Sequence, residues 1–160
     1  MGVKRPWNIV DMPVYSMATY DDDQVNMNIC TYVTAISMKP KLFMVAIDYS
    51  TKTYKNLEQG SNVILQILHQ DHSKLVPLLG KTSGTRVSKQ EKLVSKGLIT
   101  NWNGHQVLNG ACGFLALEQR GRKNVGGDHE LFWFEVVKSK TNSENNILMF
   151  QDLIQAGIIL

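Results

Sequence analysis

The sequence predicts a mainly β protein, a β-barrel decorated with short helices. Segments rich in valine, isoleucine, phenylalanine, tyrosine and threonine recur between turn residues, and helix signals are short and fall between these segments. The 160 residues, 43% of them hydrophobic, suit one compact domain, which we expect to span residues 1–160. The predicted strands are Pro13–Thr19, Asn26–Ser37, Lys41–Asp48, Asn62–Leu68, Gly104–Glu118 and Glu130–Val137.

Charge, hydropathy and cysteine usage narrow the class of protein. Lys and Arg total 17 against 14 Asp and Glu, a balance of +3 that predicts no nucleic-acid partner. The longest apolar run, Leu42–Ile47, is far too short to cross a bilayer, so we expect no membrane association. Cys30 and Cys112 lie far apart without a paired spacing, which predicts reduced cytoplasmic thiols and no metal site.

The first three predicted strands differ in their patterns. The acidic stretch Asp21–Asp23 after the first strand is predicted to be a hairpin tip, because it lacks the later Gly and Glu of a calcium loop. In the second strand, alternation predicts an apolar face and a hydrogen-bonding face. The third strand is almost continuously apolar and is therefore predicted to be central. The apolar face holds Met27, Ile29, Thr31, Val33 and Ala35, and the opposite face holds Asn26, Asn28, Cys30, Tyr32 and Thr34.

Three helices are predicted in the connections. Ser50 or Thr51 caps the first, Asp71 caps the second, and glycines stop all three. We expect the tail, 147–156, to form a strand and a helical turn, and the apolar end Gly157–Leu160 to pack on the barrel or on a partner chain. His69 and His72 are predicted to be surface histidines. The helices are Thr53–Gln59 before Gly60, Ser73–Leu79 before Gly80, and Ser88–Lys96 before Gly97.

The junction between the third strand and the first helix is rich in groups that bind phosphate. Ser50, Thr51 and Thr53 carry hydroxyls, Lys52 carries an ammonium group, and a helix start offers unpaired amides. The same residues also suit a plain helix cap with a solvated lysine.

Two segments together point to a known family. Residues 13–68, PVYSMATYDDDQVNMNICTYVTAISMKPKLFMVAIDYSTKTYKNLEQGSNVILQIL, resemble the flavin reductase-like family, the FMN-binding split barrels. Residues 126–136, GGDHELFWFEV, are similar to that family's Gly-Asp-His motif before its final barrel strand. The chain departs from the family at Lys39-Pro40-Lys41, where many members have two prolines, and at 29–32, where they have small hydroxyl residues.

The resemblance implies a split β-barrel and a set of flavin contacts. It implies that the polar strand runs beside the isoalloxazine ring, that the helix start holds the phosphate, and that a histidine with Asp128 beside it lies on the nicotinamide side. The implied ring contacts are Asn28, Cys30, Thr31, Tyr32 and Ser37, the phosphate contacts are Ser50, Thr51, Lys52 and Thr53, and the histidine is His129.

The implied activity is hydride transfer from NAD(P)H to FMN, or to FAD, by a cytoplasmic homodimer with its flavins near the subunit interface. The sequence has no Gly-rich Rossmann loop, so NAD(P)H is expected to visit as a substrate. Arg120, Arg122 and Lys123 form a cationic segment that either clamps phosphates of NAD(P)H or of a neighbouring subunit's flavin, or is a solvated hairpin tip. The electron acceptor stays open, a partner monooxygenase included, and the alternative function is a non-catalytic FMN-binding or electron-carrier protein.

Overall fold

A seven-stranded antiparallel sheet dominates the computed structural model, which describes residues 2–86 and 88–159. Its strand order is β2-β1-β5-β8-β9-β4-β3, and β6 and β7 form a separate hairpin. The strands are β1 Tyr15–Asp21, β2 Gln24–Met27, β3 Val33–Ser37, β4 Leu42–Asp48, β5 Val63–Ile67, β6 Ile99–Trp102, β7 His105–Leu108, β8 Gly113–Asn124 and β9 His129–Thr141. The helices are α1 Lys52–Glu58, α2 Val76–Lys81, α3 Lys89–Ser95 and α4 Phe150–Gln155, with 3-10 helices at Pro6–Asn8 and Gln70–Leu75.

The sheet curls because its two edges are joined by a short piece of chain. β2 and β3 lie at opposite edges, yet only residues 28–32 connect them. Five extended residues reach about 17 Å at most, so the edges must come close together. Cys30 pairs with Tyr15 of β1, and the Ala46 amide of β4 donates to the Tyr32 carbonyl. The result is a barrel that is split between its edge strands, β2 and β3, which confirms the predicted mainly β fold.

The prediction of one strand over Asn26–Ser37 was wrong in its middle. A period-two pattern continues through the segment, but the chain crosses from one sheet edge to the other within it. The predicted faces fail with it, because Cys30 is buried and Thr34 and Ala35 are exposed. β4 does pair on both sides, with β9 and β3, although it lies next to the edge and is not central.

The sheet separates two hydrophobic cores. In β5, Ile64 belongs to an outer core and Leu65 to the barrel interior, so both faces of the strand are covered. The interior core contains Phe132 and Phe134 of β9. The outer core lies between the sheet, the β6–β7 hairpin and α2, α3 and α4. Burial on both faces explains why these strands are nearly continuously apolar.

The helix predictions hold for α1 and α3. Thr51 caps α1 by accepting from the Tyr54 amide at 3.2 Å, and Gly60 (φ 79°) follows its end. The second predicted helix was wrong in its bounds. A 3-10 helix starts there, His69 caps it instead of Asp71, and α2 continues past Gly80.

The second half of the chain contains three further differences. The predicted strand Gly104–Glu118 is interrupted between β7 and β8, where Gly110 (φ 84°) turns the chain. β6 was missed, although Asn103-Gly104, both at positive φ, forms the type of turn that favours a hairpin. In the tail, isolated bridges stand in place of the predicted strand, and α4 then follows as expected. Ile158 and Ile159 pack on the outer core of their own chain, and Leu160 lies outside the described residues.

Among the described residues, no helix is both long and apolar enough to span a bilayer.

Candidate functional site

The split of the barrel opens into a cavity of about 300 Å³. Its walls come from β2 and the 28–32 connection, from the end of β4, from the start of α1, from the first residue of β9, and from the loop between α2 and α3. The described lining residues are Asn26, Asn28, Ile29, Cys30, Ala46, Ile47, Asp48, Ser50, Thr51, Lys52, Thr53, Leu79, Gly80, Lys81, Thr82, Ser83, Gly84, Lys89 and His129.

Most of the predicted site residues meet in this cavity. Thr31, Tyr32 and Ser37 do not line it. The side chain of Tyr32 is 61% exposed and packs against the His129 ring, whose centroid is 5.3 Å away. The predicted residues that do line the cavity are Asn28, Cys30, Ser50, Thr51, Lys52, Thr53 and His129.

At the start of α1, two hydroxyls serve the turn itself. Ser50 donates from its amide and its hydroxyl to Asp48 Oδ1, at 2.8 and 2.7 Å. These bonds hold the pKa of Asp48 below its usual range. The Thr51 hydroxyl donates to the Asp48 carbonyl at 2.8 Å while it caps α1. The turn is therefore fixed before any ligand arrives.

Lys52 and Thr53 also have partners within the chain. Lys52 Nζ lies 2.6 Å from Asp21 Oδ2, so a carboxylate already balances its charge. The buried Thr53 hydroxyl accepts from Asn26 Nδ2 at 3.1 Å, which leaves its own proton free to donate. Among the described residues, the amides of Lys52 and Thr53 have no acceptor. These two amides and the Thr53 hydroxyl are donors available to an anion.

The wall formed by residues 28–32 presents an amide and a thiol. Asn28 Oδ1 accepts from the Met17 amide at 2.8 Å and from Cys30 Sγ at 3.1 Å. Burial raises the pKa of the Cys30 thiol to about 12. The thiol is thus protonated at neutral pH, and Cys30 offers a contact surface without a nucleophile.

His129 lines the cavity from the first position of β9, opposite Asp48 in the β4–β9 pairing. Its Nδ1 lies 2.6 Å from Asp128 Oδ1, so the neighbouring carboxylate orients the ring. The side chain is 28% exposed, which leaves it accessible to a molecule that enters from solvent.

Sequence reasoning missed the α2–α3 loop and Lys89. The segment 80–86, GKTSGTR, concentrates glycines, hydroxyls and cations, and this composition was an available signal. Gly84 approaches Asn26 so closely that a Cβ atom there would overlap Asn26 Oδ1. Lys89 is 6% exposed and lies 62 residues from Met27, whose carbonyl it contacts, a distance in sequence that no local pattern bridges.

Two predictions about charged residues outside the cavity were wrong. Arg120 and Arg122 lie within β8 and pair with carboxylates, Arg120 with Glu135 and Arg122 with Glu130, so the segment is not a hairpin tip, and the clamp stays a prediction. His72 is buried and not a surface residue, and its Nε2 lies 2.9 Å from the Asn109 carbonyl oxygen.

Comparison with known families gives a match over most of the chain. A family model described as "Flavin reductase like domain" matches residues 8–155. A search of curated proteins finds no relative.

Several solved structures share the fold. An FMN-binding protein from Thermus thermophilus with bound p-hydroxybenzaldehyde superposes with a TM-score of 0.76 at 22% identity, covering 90% of this chain and 79% of that one. An NADH:FAD oxidoreductase from Streptomyces globisporus in complex with NAD and FAD fragments gives 0.76 at 15% identity, with coverages of 90% and 83%. The styrene monooxygenase flavin reductase from Pseudomonas putida gives 0.73 at 19% identity, with coverages of 89% and 88%. At these identities the likeness establishes the fold alone.

Proposed function

This chain belongs to the flavin reductase-like domain family, and from that premise we propose that it is an FMN-binding, NAD(P)H-dependent flavin reductase. The observation that carries the proposal is the cavity at the split of the barrel, which gathers hydroxyls, free amides and an accessible histidine in one place. Residues 1–160 act in this proposal as one flavin-binding domain.

The phosphate of FMN is assigned to the start of α1. The free amides of Lys52 and Thr53 and the Thr53 hydroxyl donate to it, and Ser50 and Thr51 shape the turn that presents them. Because α1 has only seven residues, these directed donors matter more than its dipole. Lys52 contributes charge only in part, since Asp21 holds it.

The isoalloxazine ring is assigned to the wall of Asn28 and Cys30, with Thr31, Tyr32 and Ser37 at its margin. The residues present fit such a ring, because the wall combines an amide, a protonated thiol and apolar side chains such as Ile29 and Leu79. The flavin supplies the hydride-accepting chemistry when bound, and the protein binds and orients it.

His129 is assigned to the nicotinamide side. Its exposure and the carboxylate of Asp128 on Nδ1 suit a group that orients a visiting nicotinamide and excludes water beside it. Tyr32, packed on the His129 ring, extends this surface toward solvent.

We infer that the protein is a homodimer located in the cytoplasm. We also propose that the cavity accepts FAD as a second flavin. Exposed apolar side chains on the β3 edge and the following turn, Ile36 and Met38, support the dimer. The C-terminal end does not, because Ile158 and Ile159 pack on their own chain. Sedimentation at micromolar concentration tests the assembly, and Ile36→Lys is expected to weaken it where the control Val94→Lys is not.

The styrene monooxygenase reductase as a structural neighbour supports a monooxygenase as electron acceptor.

An anaerobic visible spectrum tests the function. The purified protein is loaded with FMN, and NADH or NADPH is added. Bleaching of the flavin band is expected for a reductase. Bound flavin that does not bleach identifies a non-catalytic FMN-binding or electron-carrier protein, and a chain that binds no flavin contradicts the proposal altogether.

A further inference from the structure

The buried ammonium group of Lys89 lies in the wall of the cavity, close to the residues assigned to the flavin ring. Lys89 is the first residue of α3 and is 6% exposed. Its Nζ donates to the Leu79 carbonyl at 2.7 Å and to the Met27 carbonyl at 3.0 Å. Among the described residues its third proton has no acceptor, and no carboxylate lies within ion-pair distance of it. The fold therefore buries a positive charge without a negative partner.

Such an arrangement is costly unless a ligand offsets it. Two carbonyl dipoles solvate the ammonium group only in part, and burial lowers the pKa of Lys89 to about 8. Perturbed groups of this kind concentrate at functional sites. Lys89 also lines a second cavity of about 230 Å³, which shares Asn26, Lys52 and Gly84 with the first.

We propose that Lys89 donates a hydrogen bond from its third N–H to the bound flavin and stabilises the flavin's reduced, negatively charged form. This inference rests on the proposed function. Hydride transfer moves two electrons and one proton from NAD(P)H to the neutral oxidised ring, so NAD(P)⁺ leaves and the ring carries one negative charge at neutral pH. A cation beside the ring would bind that form more tightly than the oxidised form. Lys89 keeps its own proton throughout the step.

Other charged and titratable groups facing the cavity differ from Lys89 in their partners. Lys52 is paired with Asp21, and the exposed Lys81 donates to the Ile158 carbonyl. Asp48 is held by Ser50 at the far side of the turn. Cys30 is a protonated thiol, and His129 is paired with Asp128, opposite Asp48 of β4. Lys89 is thus the buried cation in the described lining whose charge no side chain balances.

A purely structural role makes a different prediction. The same two bonds tie α3 to β2 and α2, and a clamp of this kind would affect stability and the binding of both flavin forms equally. The experiment must therefore compare oxidised with reduced flavin, not activity alone.

The test uses Lys89→Met, with Lys92→Met as the matched control, since Lys92 is an exposed lysine of the same helix. Dissociation constants for oxidised and dithionite-reduced FMN are measured, together with the midpoint potential of the bound flavin. We expect the affinity for reduced FMN to fall about tenfold more than that for oxidised FMN, the effect of losing a hydrogen bond to a charged group. A tenfold difference corresponds to a midpoint about 30 mV lower. Lys92→Met is expected to leave both unchanged.

Equal losses of affinity for oxidised and reduced FMN in Lys89→Met overturn the inference. Equal shifts of the midpoint potential in Lys89→Met and Lys92→Met overturn it as well. A wild-type measurement covers the case in which Lys89→Met fails to fold. In protein labelled with carbon-13 lysine, the pKa of Lys89 is expected to rise when reduced FMN binds, and an unchanged pKa also overturns the inference. Wild-type protein that binds no flavin instead contradicts the proposed function, so the two failures are distinguishable.

Discussion

The Thr53 hydroxyl is buried beside the free amides at the start of α1. Removing this hydroxyl tests the assignment of the phosphate to that helix start. Thr53→Ala removes one donor to the phosphate and leaves Asn26 Nδ2 without its acceptor. Losing a hydrogen bond to a charged group costs about 1.5–3 kcal/mol, so FMN affinity is expected to fall roughly 10- to 100-fold. Fluorescence titration with FMN and with riboflavin measures the effect.

Riboflavin and Thr53→Ser are the controls for this experiment. Riboflavin lacks the phosphate, so its affinity is expected to be nearly unchanged, and Thr53→Ser retains the hydroxyl and is expected to retain FMN binding. Equal weakening of FMN and riboflavin would refute the phosphate assignment, because it would indicate a general loss of structure around Asn26.

His129 tests the assignment of the nicotinamide side. The ring is accessible, and its hydrogen bond goes to Asp128 and not to the donors assigned to the phosphate, so His129→Ala is expected to leave FMN affinity and thermal stability near wild type. With no Rossmann loop to hold the nicotinamide, its loss is expected to slow flavin reduction on the order of 100-fold. Stopped-flow bleaching of bound FMN by NADH or NADPH measures this step directly. Unchanged bleaching would make His129 an ordinary surface residue, and a collapse of FMN binding would move it into the flavin contacts.

Residues 82–84 of the α2–α3 loop line the cavity, and Gly84 packs against Asn26 of β2. A Cβ atom at Gly84 would overlap Asn26 Oδ1 and approach Lys52 Cβ to 3.0 Å, so Gly84→Ala must push the loop outward. Overpacking of this kind costs about 1–3 kcal/mol, and we expect a lower melting temperature and weaker FMN binding. Gly127→Ala is the matched control, because nothing lies within 4 Å of that position. Thermal melts of both variants with and without FMN decide the point, and a Gly84→Ala protein indistinguishable from Gly127→Ala contradicts a closed loop.

Local sequence signals predicted some parts of the fold and of the candidate site and missed others. Local signals sufficed for α1, because its Thr51 cap and its Gly60 stop lie close to the two ends of the helix in the sequence. They also sufficed for the Asp21–Asp23 hairpin tip between β1 and β2. They did not suffice where tertiary packing decides. The pattern through Asn26–Ser37 carries no mark of the crossing between sheet edges, and Lys89 reaches Met27 only because α3 packs against β2. The part of the candidate site on contiguous residues was predictable, and the wall supplied by distant residues was not.

A buried histidine, His72, connects two segments that border the outer core. His72 Nδ1 accepts from the His69 amide at 3.1 Å, so the ring proton must be on Nε2, which donates to the Asn109 carbonyl at 2.9 Å. These bonds join the 3-10 helix after β5 to the turn between β7 and β8. The bond from the His69 amide requires the neutral ring, because a proton on Nδ1 would face the His69 N–H.

This requirement predicts how stability depends on pH. Burial lowers the pKa of His72 below 6.5, with the Asn109 carbonyl and the nearby Asp71 opposing the shift only in part. The unfolded chain therefore binds more protons than the folded one below about pH 6.5, so the His72 contribution is complete above that pH and is lost as the pH falls. We expect His72→Gln to destabilise the protein by about 1 kcal/mol at pH 7.5 and by less at pH 5.5. Urea unfolding of wild type, His72→Gln and the control His105→Gln across this range measures the difference. A His72→Gln deficit that stays constant with pH would mean that the folded protein tolerates a protonated ring at position 72.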